Sequence, residues 1–166
     1  KNLDLDEIAD ETISLQKSDD DNQFVDDLLA MNGSSAGARP KILVNIDKQD
    51  WIIKFRSFID PKDIGSIEYA YNIMAKNAGL EVPEAKLFPS KKCSGYFAAK
   101  RFDRKNGNRL HIHSISGLLN IDHRFPSLDY ETILKVTSWL TKDIRESEKQ
   151  FRAAVFNVLS HNRDDH

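Results

Sequence analysis

Two short stretches hold ionisable groups in settings where chemistry could use them. In "WIIKF", Lys54 stands among Trp51, Ile52, Ile53 and Phe55. A strand through this run puts Lys54 on the same face as Ile52, and an ammonium held against a covered face needs an anionic partner. Glu68, near the start of the next helical pattern, carries the right charge, although a glutamate early in a helix also suits the helix dipole by itself. Lys54 therefore reads either as an edge-strand lysine that blocks aggregation or as a lysine held against the phosphates of a nucleotide. The second stretch, "SHNRDDH", follows a helical run through Phe156 and Leu159. An Asp just after a helix can accept a hydroxyl proton or orient a nucleophile in phosphoryl transfer. The alternative is a frayed, solvated tail.

Three further stretches have weaker chemical signals. In "GSSAGARPK", Gly33 and Gly37 let the backbone approach a ligand and expose N–H groups, while Lys41 adds positive charge. The same Gly/Ser composition also makes an ordinary linker. "AAKRFDR" reads as a strand ending in surface ion pairs among Arg101, Asp103 and Arg104, or as a connection between lobes that presents backbone groups to an adenine edge. In "RLHIHSI", His111 and His113 would share one face of a strand, which permits metal binding. No cysteine or third ligand accompanies them, and no metal site is assigned.

The elements that must position these residues follow from periodicity and turn signals. Residues 1–32 form an acidic, polar leader, with "KSDDDN" as an exposed loop. Within it, Phe24, Leu28 and Met31 recur at helical spacing beside Val25 and Leu29. "KILVNI" and "DWIIKFRSF" are strand-like, joined through Asp47-Lys48-Gln49 as a hairpin. From Ser66 the period becomes helical, with Ile67, Tyr71, Met74 and Ala78 on one stripe and Gly79 placed to end it. "YFAAKRF" and "RLHIHSI" are the next strands, with Asn106-Gly107 as the turn between them. Beyond lie helical stripes at Ile133, Val136 and Leu140, and at Phe151, Val155 and Leu159. A β-rich part with one main helix, followed by helices, predicts an α+β fold with two lobes.

Composition narrows the function classes. A chain of 166 residues that is 40% hydrophobic and 30% charged has the size and balance of a globular domain with a real core. No apolar run approaches the roughly 20 residues of a membrane span, and Lys1-Asn2-Leu3-Asp4 lacks the layout of a secretory signal. The single Cys93 excludes an internal disulfide and a cysteine zinc cluster, and so favours a reducing cytoplasm. Residues 1–27 hold ten Asp/Glu against two Lys, whereas the rest holds 16 Asp/Glu against 22 Lys/Arg. That basic body attracts phosphates of any kind. It lacks the dense basic patch with interleaved aromatic residues that single-stranded nucleic acid requires, so nucleic-acid binding ranks last.

In order along the chain, these pieces resemble the HipA family of bacterial toxin Ser/Thr kinases. They are a Ser-containing Gly loop ending in Lys, "WIIKF", a helix carrying Glu, "VPEAKLF", "KRFDR", "RLHIHS" and the late "FNVLSHNRDDH". The resemblance runs from about Gly33 to the last residue. It implies a two-lobed kinase-like fold, with a nucleotide-binding lobe and hinge over 33–104 and the start of a helical lobe over 105–166. It assigns Ala36, Gly37, Ala38, Arg39, Pro40 and Lys41 to ATP phosphates, Lys54 to the α/β phosphates with Glu68 beside it, and Lys100, Arg101 and Phe102 to an adenine-binding hinge. Asp164 matches the catalytic Asp, and Ser34, with Ser35 next to it, matches an autophosphorylated serine. The implied cofactors are ATP and Mg²⁺. The implied partners are an aminoacyl-tRNA synthetase as substrate, a DNA-binding antitoxin, and a separate small protein supplying an N-terminal subdomain, as in the compact HipT-type layout. The pattern's Mg²⁺-binding Asn and Asp would fall after His166, so a chain stopping there is expected to be inactive alone. Lys100 also departs from the acidic residue found at that hinge position in the best-known member. The competing function is a non-catalytic module that binds ATP or the antitoxin.

Overall fold

A computed structural model describes residues 4–17, 39–105, 107–121 and 128–162. The chain is mixed α+β and forms two compact units. One comprises residues 1–73 and 83–104; the other comprises residues 74–82 and 105–166.

The first unit is built on a four-stranded antiparallel sheet. Strands β1 (Lys41–Ile46) and β2 (Gln49–Lys54) pair from Lys41 opposite Lys54 to Ile46 opposite Gln49. Only Asp47 and Lys48 turn the chain, with φ of 52° and 63°. Two left-handed residues make the tight hairpin whose twist matches its strands, so Gln49, expected in the turn, is already paired. After β2 the chain forms helix α2 (Ile64–Asn77) and then strands β3 (Ala85–Phe88) and β4 (Tyr96–Lys100). Strand order is β1-β2-β4-β3, which puts the Lys54 strand between two neighbours rather than at an edge. The edge-strand reading of Lys54 fails on that order.

Alternation along β2 divides its side chains between two faces. Trp51 and Ile53, continued by Phe55, point to one side, where they are buried with Ile42, Tyr96 and Ala98. Helix α1 (Leu5–Lys17) completes this core through Ala9, with Leu5 and Ile8 packed against it. Asp4 starts the helix by accepting hydrogen bonds from the Asp6 and Glu7 N–H groups at 3.0 and 3.3 Å. Asp6 accepts from the Ser90 hydroxyl at 2.6 Å, the Tyr96 hydroxyl at 2.7 Å and the Lys91 N–H at 3.0 Å, and Lys92 pairs with Asp10. Residues 5–17 of the acidic leader are thus a helix docked on this core. The expected "KSDDDN" loop and the helix through Phe24 and Met31 lie outside the described residues.

Helix α2 ends at Gly79, whose φ of 79° suits a residue without Cβ. The Gly79 N–H bonds to the Lys76 carbonyl and the Leu80 N–H to the Ala75 carbonyl, both at 3.0 Å, forming a Schellman cap. The expected stripe is on the wrong side. Ile67, Tyr71 and Met74 are exposed, and the covered face runs through Gly65, Glu68, Tyr69, Asn72 and Ala75. Gly65 lets this end of the helix approach the start of β4 closely, whereas the stripe of large apolar residues stays outside.

In the second unit, "RLHIHSI" is not a strand past Arg109. A two-residue ladder joins β5 (Arg104–Lys105) and β6 (Asn108–Arg109), and His111 and His113 are exposed in irregular chain with ring centroids 5.9 Å apart. Helices α3 (Ile115–Leu118), α4 (Tyr130–Thr141) and α5 (Ile144–Leu159) follow, with Asp129 and Asp143 capping the last two. Thr137 and Ala154 are their buried residues, while Leu140, Phe151, Val155 and Leu159 are exposed. The expected α5 stripe therefore faces outward. None of the described helices is long and apolar enough to cross a membrane.

The Ser90 hydroxyl, then the Lys91 N–H and the Tyr96 hydroxyl, hold the Asp6 carboxyl at about 2 against an ordinary 3.8. A depressed carboxylate value contributes stability that is present above the unfolded value and lost as pH falls through the folded one. The Asp6→Asn variant is expected to melt below the parent at pH 7. The difference in Tm should close between pH 3.8 and about 2. Thermal melts of both proteins across that range check this, and equal Tm values at pH 7 would show that the α1 dock contributes nothing.

Candidate functional site

The face of β2 opposite the core carries Lys54. Its Nζ donates to Glu68 Oε2 on α2 at 2.9 Å and lies 5.4 Å from the centroid of the Phe97 ring on β4. Sheet and helix together give the ammonium a carboxylate and an aromatic face, which answers the cost of holding it against a covered surface. About two-fifths of the Lys54 side chain remains accessible, so the pair is open on one side. The enclosed space beside it is only about 10 Å³, at the threshold for a single water. A ligand would meet Lys54 from its open side and would not enter between the partners.

Two more cations stand beside this pair. Lys41 lies opposite Lys54 in the β1–β2 register and is nearly buried. Burial, and after it the Lys54 charge, pushes its ammonium below the ordinary lysine value, while Glu68 offsets part of that push. Arg39 reaches Asp60 through two parallel hydrogen bonds, Nε to Oδ2 and Nη2 to Oδ1, both at 3.0 Å. Its Nη1 is also 3.6 Å from Glu68 Oε1. Three cations face two carboxylates here, and Arg56 and Lys62 line the same recess. Among the described residues that line it, the charged ones are Arg39, Lys54, Arg56, Lys62 and Glu68, a set that suits an anion with several negative oxygens.

Asp60 is fixed by its own connection. It accepts from the Ser57 N–H and the Ser57 hydroxyl, both at 2.9 Å, as well as from Arg39. Burial raises its carboxyl, but the Ser57 N–H, the Arg39 guanidinium and the Ser57 hydroxyl outweigh that effect and hold it below the usual range. Pro40 is fully buried, and its carbonyl accepts the Phe55 N–H at 2.9 Å, which ties the residues after the Gly/Ser loop to the end of β2. Helix α2 is set by a close approach. A Cβ on Gly65 would stand 2.1 Å from the Gly95 carbonyl oxygen, so only glycine brings this end of the helix so near the start of β4. The Ser66 and Ser94 hydroxyls meet at 2.8 Å on the same seam.

The expected hinge residues are in a different setting. Lys100 pairs with Glu84 at 3.8 Å, and Phe102 is exposed. Arg101 grips Asp103 with two hydrogen bonds of 2.9 and 2.6 Å, and Arg104 joins the same carboxylate. The Arg101 hydrogen bonds, opposed by burial, lower the Asp103 carboxyl. The Lys100 and Arg101 N–H groups bond to the Glu84 and Asp50 carbonyls at 2.8 Å each, so they are engaged within this unit. The ion-pair reading of "KRFDR" describes what is seen.

Of the residues expected to form a site, Arg39, Pro40, Lys41, Lys54 and Glu68 are brought together. Ser34, Ser35, Ala36, Gly37, Ala38 and Asp164 lie outside the described residues. The segment leading to Asp164 leaves α5 through a Schellman cap, in which His161 has a left-handed φ of 54° and the Asn162 N–H bonds to the Asn157 carbonyl at 2.9 Å. Ser57, Asp60, Gly65 and Phe97 stand outside the expected set. Two of them were readable together: Ser57-x-x-Asp60 has the spacing at which an acidic side chain reaches back to a backbone N–H. Among the described residues, no group of three His, Cys, Asp or Glu side chains is arranged to hold a metal.

The HipA-like C-terminal domain matches residues 33–166, and the chain belongs to that family. No match was found among the curated proteins. The Lys54 strand followed by a Glu-bearing helix is also the order in which protein kinases build their Lys–Glu ion pair.

Overpacking at the Gly65 seam gives a direct test of how α2 is placed. Gly65→Ala is expected to cost about 1–3 kcal/mol, because the new methyl meets backbone that cannot rotate away. Urea denaturation of the variant against the parent measures it. An unchanged midpoint would mean that α2 can shift without loss.

Proposed function

We propose that this chain is the nucleotide-binding part of a toxin Ser/Thr protein kinase of a toxin–antitoxin system. The observation that carries the reading is the Lys54–Glu68 ion pair of 2.9 Å in a recess also lined by Arg39, Arg56 and Lys62. Glu68 holds the Lys54 ammonium extended, Phe97 supports it, and the open side of Lys54 is available to the α/β phosphates of ATP. Lys41 adds charge behind it. In transfer, the bond from the γ-phosphorus to the ADP oxygen breaks and a bond to a substrate Ser/Thr oxygen forms. Asp164 orients that hydroxyl and takes its proton. Mg²⁺ supplies charge neutralisation in such reactions; the described residues do not by themselves build a site for it.

The proposed substrate is an aminoacyl-tRNA synthetase, and the proposed partners are a DNA-binding antitoxin and, in a HipT-type layout, a small separate subdomain protein. Family membership supports these choices. Ser34 and Ser35 are the proposed autophosphorylation positions. A phosphate on either adds about −1.5 to −2 charge beside a site for phosphates, so it should inhibit.

A phosphotransfer assay on the complete protein with ATP, Mg²⁺ and a panel of synthetases tests this reading. Lys54→Ala should weaken ATP binding about 10- to 100-fold, the loss expected for a hydrogen bond to a charged group. Asp164→Asn should lower the rate by about 10²–10⁴-fold, the usual weight of a general base. Phosphopeptide mapping should place phosphate on Ser34 or Ser35. Retained ATP binding with no transfer to any synthetase would assign the non-catalytic binding role instead.

A further inference from the structure

Among the Gly-loop residues expected to contact phosphate, Arg39 has a geometry of its own. The structure's arrangement leads us to infer that Arg39 is a positioning residue, clamping the end of the Gly/Ser loop to Asp60 and Glu68 instead of binding phosphate itself. The inference rests on the nucleotide-site reading above and deepens it.

The clamp has three parts. The first is a fork: Nε and Nη2 each donate to a different Asp60 oxygen at 3.0 Å, a paired geometry that fixes direction as well as distance. The second is a rigid anchor. The Asp60 side chain is only 8% accessible and is already held by the Ser57 N–H and hydroxyl at 2.9 Å, while its own carbonyl accepts from Arg56 at 3.4 Å. A surface carboxylate on a free side chain could not set the loop in this way; one pinned from both sides can. The third is the link to the site. The remaining guanidinium nitrogen, Nη1, faces Glu68 Oε1 at 3.6 Å while Lys54 occupies Oε2 at 2.9 Å. Glu68 is therefore aimed by two cations, one from the loop and one from the sheet.

Buried Pro40 follows at once and is bonded through its carbonyl to Phe55. Arg39 and Pro40 are thus held at a fixed point beside the end of β2. Releasing Arg39 would free one side of Glu68, the carboxylate that holds Lys54. On the nucleotide-site reading that change acts at the phosphate end and leaves adenosine binding as it is. Lysine cannot replace the fork, since its ammonium has no paired planar donors.

The test uses the complete protein, with ATP and adenosine affinities measured by calorimetry. The samples are the parent, Arg39→Gln, Arg39→Lys, Asp60→Asn, the Arg39→Gln/Asp60→Asn double variant and Lys54→Ala. A clamp predicts that Arg39→Gln and Asp60→Asn each weaken ATP about tenfold, with the double variant no weaker than either single one. Arg39→Lys should resemble Arg39→Gln, and adenosine affinity should stay at the parent value throughout. Ser57→Ala, which removes one hydrogen bond from the anchor and is mild for folding, should give a smaller loss of the same kind. If Asp60→Asn loses adenosine binding as well, its fold is compromised and Ser57→Ala decides in its place, parental ATP affinity counting against the clamp. Arg39 is a phosphate ligand, and the clamp is overturned, if Arg39→Gln weakens ATP while Asp60→Asn and Ser57→Ala do not. Parental ATP affinity in Lys54→Ala would instead remove the nucleotide-site reading and the clamp's role with it.

Discussion

Glu68 is the one carboxylate on which the arrangement of this face depends. It meets Lys54 through one oxygen and Arg39 through the other, at 2.9 and 3.6 Å. Without it, Lys41, Lys54 and Arg39 would lose the carboxylate that stands among them, and like charges at such range repel by amounts comparable to the attraction they replace. The helix that carries Glu68 must therefore sit close to the sheet. Gly65 against the Gly95 carbonyl is what permits that approach. A local electrostatic requirement and a steric one are met at neighbouring turns of the same helix.

The opposite face of the sheet is held by other means. Trp51 is fully buried beneath Lys86, whose ammonium lies 4.5 Å from the ring centroid. Phe55 and Tyr96 meet edge to face at 5.2 Å, a favourable aromatic geometry. Helix α1 closes this side, although its residues precede the 33–166 span of the family match. Besides its apolar contacts it is anchored by Asp6, whose three donors come from the segment between β3 and β4 and from β4 itself. The acidic character of the leader thus has a structural use, since Asp6 and Asp10 face Ser90, Lys91 and Lys92. With α1 and the sheet fixed on one side, β2 can present Lys54 on the other without shifting its register.

Family membership and geometry bear on different questions. Membership in the HipA-like family sets the class of chemistry to expect, and the Lys–Glu pair is the local arrangement that such chemistry uses. The segment expected to form the hinge has local contacts of its own. Lys100 and Arg101 are committed to backbone and ion-pair partners inside their own unit, and Asp103 is shared by two arginines. These contacts make the segment a stiff end to β4, with Phe102 exposed beyond it.

Much of this chain is local and could be read from residue order. Alternation and the Asp47-Lys48 turn define the hairpin, Gly79 ends α2, and a lysine inside an apolar strand calls for the anion that Glu68 supplies. These features depend on neighbours within a few residues or on charge alone. Other features depend on which surfaces meet, and periodicity misplaced them. Ile67, Tyr71 and Met74 share a stripe by sequence but stay exposed, while α2 covers the face that carries Gly65, whose missing Cβ admits the Gly95 carbonyl. The apolar residues of α5 likewise point outward, and "RLHIHSI" has the alternation of a strand but no paired partner beyond Arg109. Alternation states what a strand would bury; whether another strand is there to bond it is decided by the fold. The same holds for Arg39, a basic residue in a Gly-rich loop by sequence and a fork on a buried aspartate in three dimensions, because Asp60 lies 21 positions away along the chain. The sequence by itself determined the turns and the need for an anion at Lys54, and the tertiary structure decided the Arg39–Asp60 fork, since that pairing depends on distances that chain order does not contain.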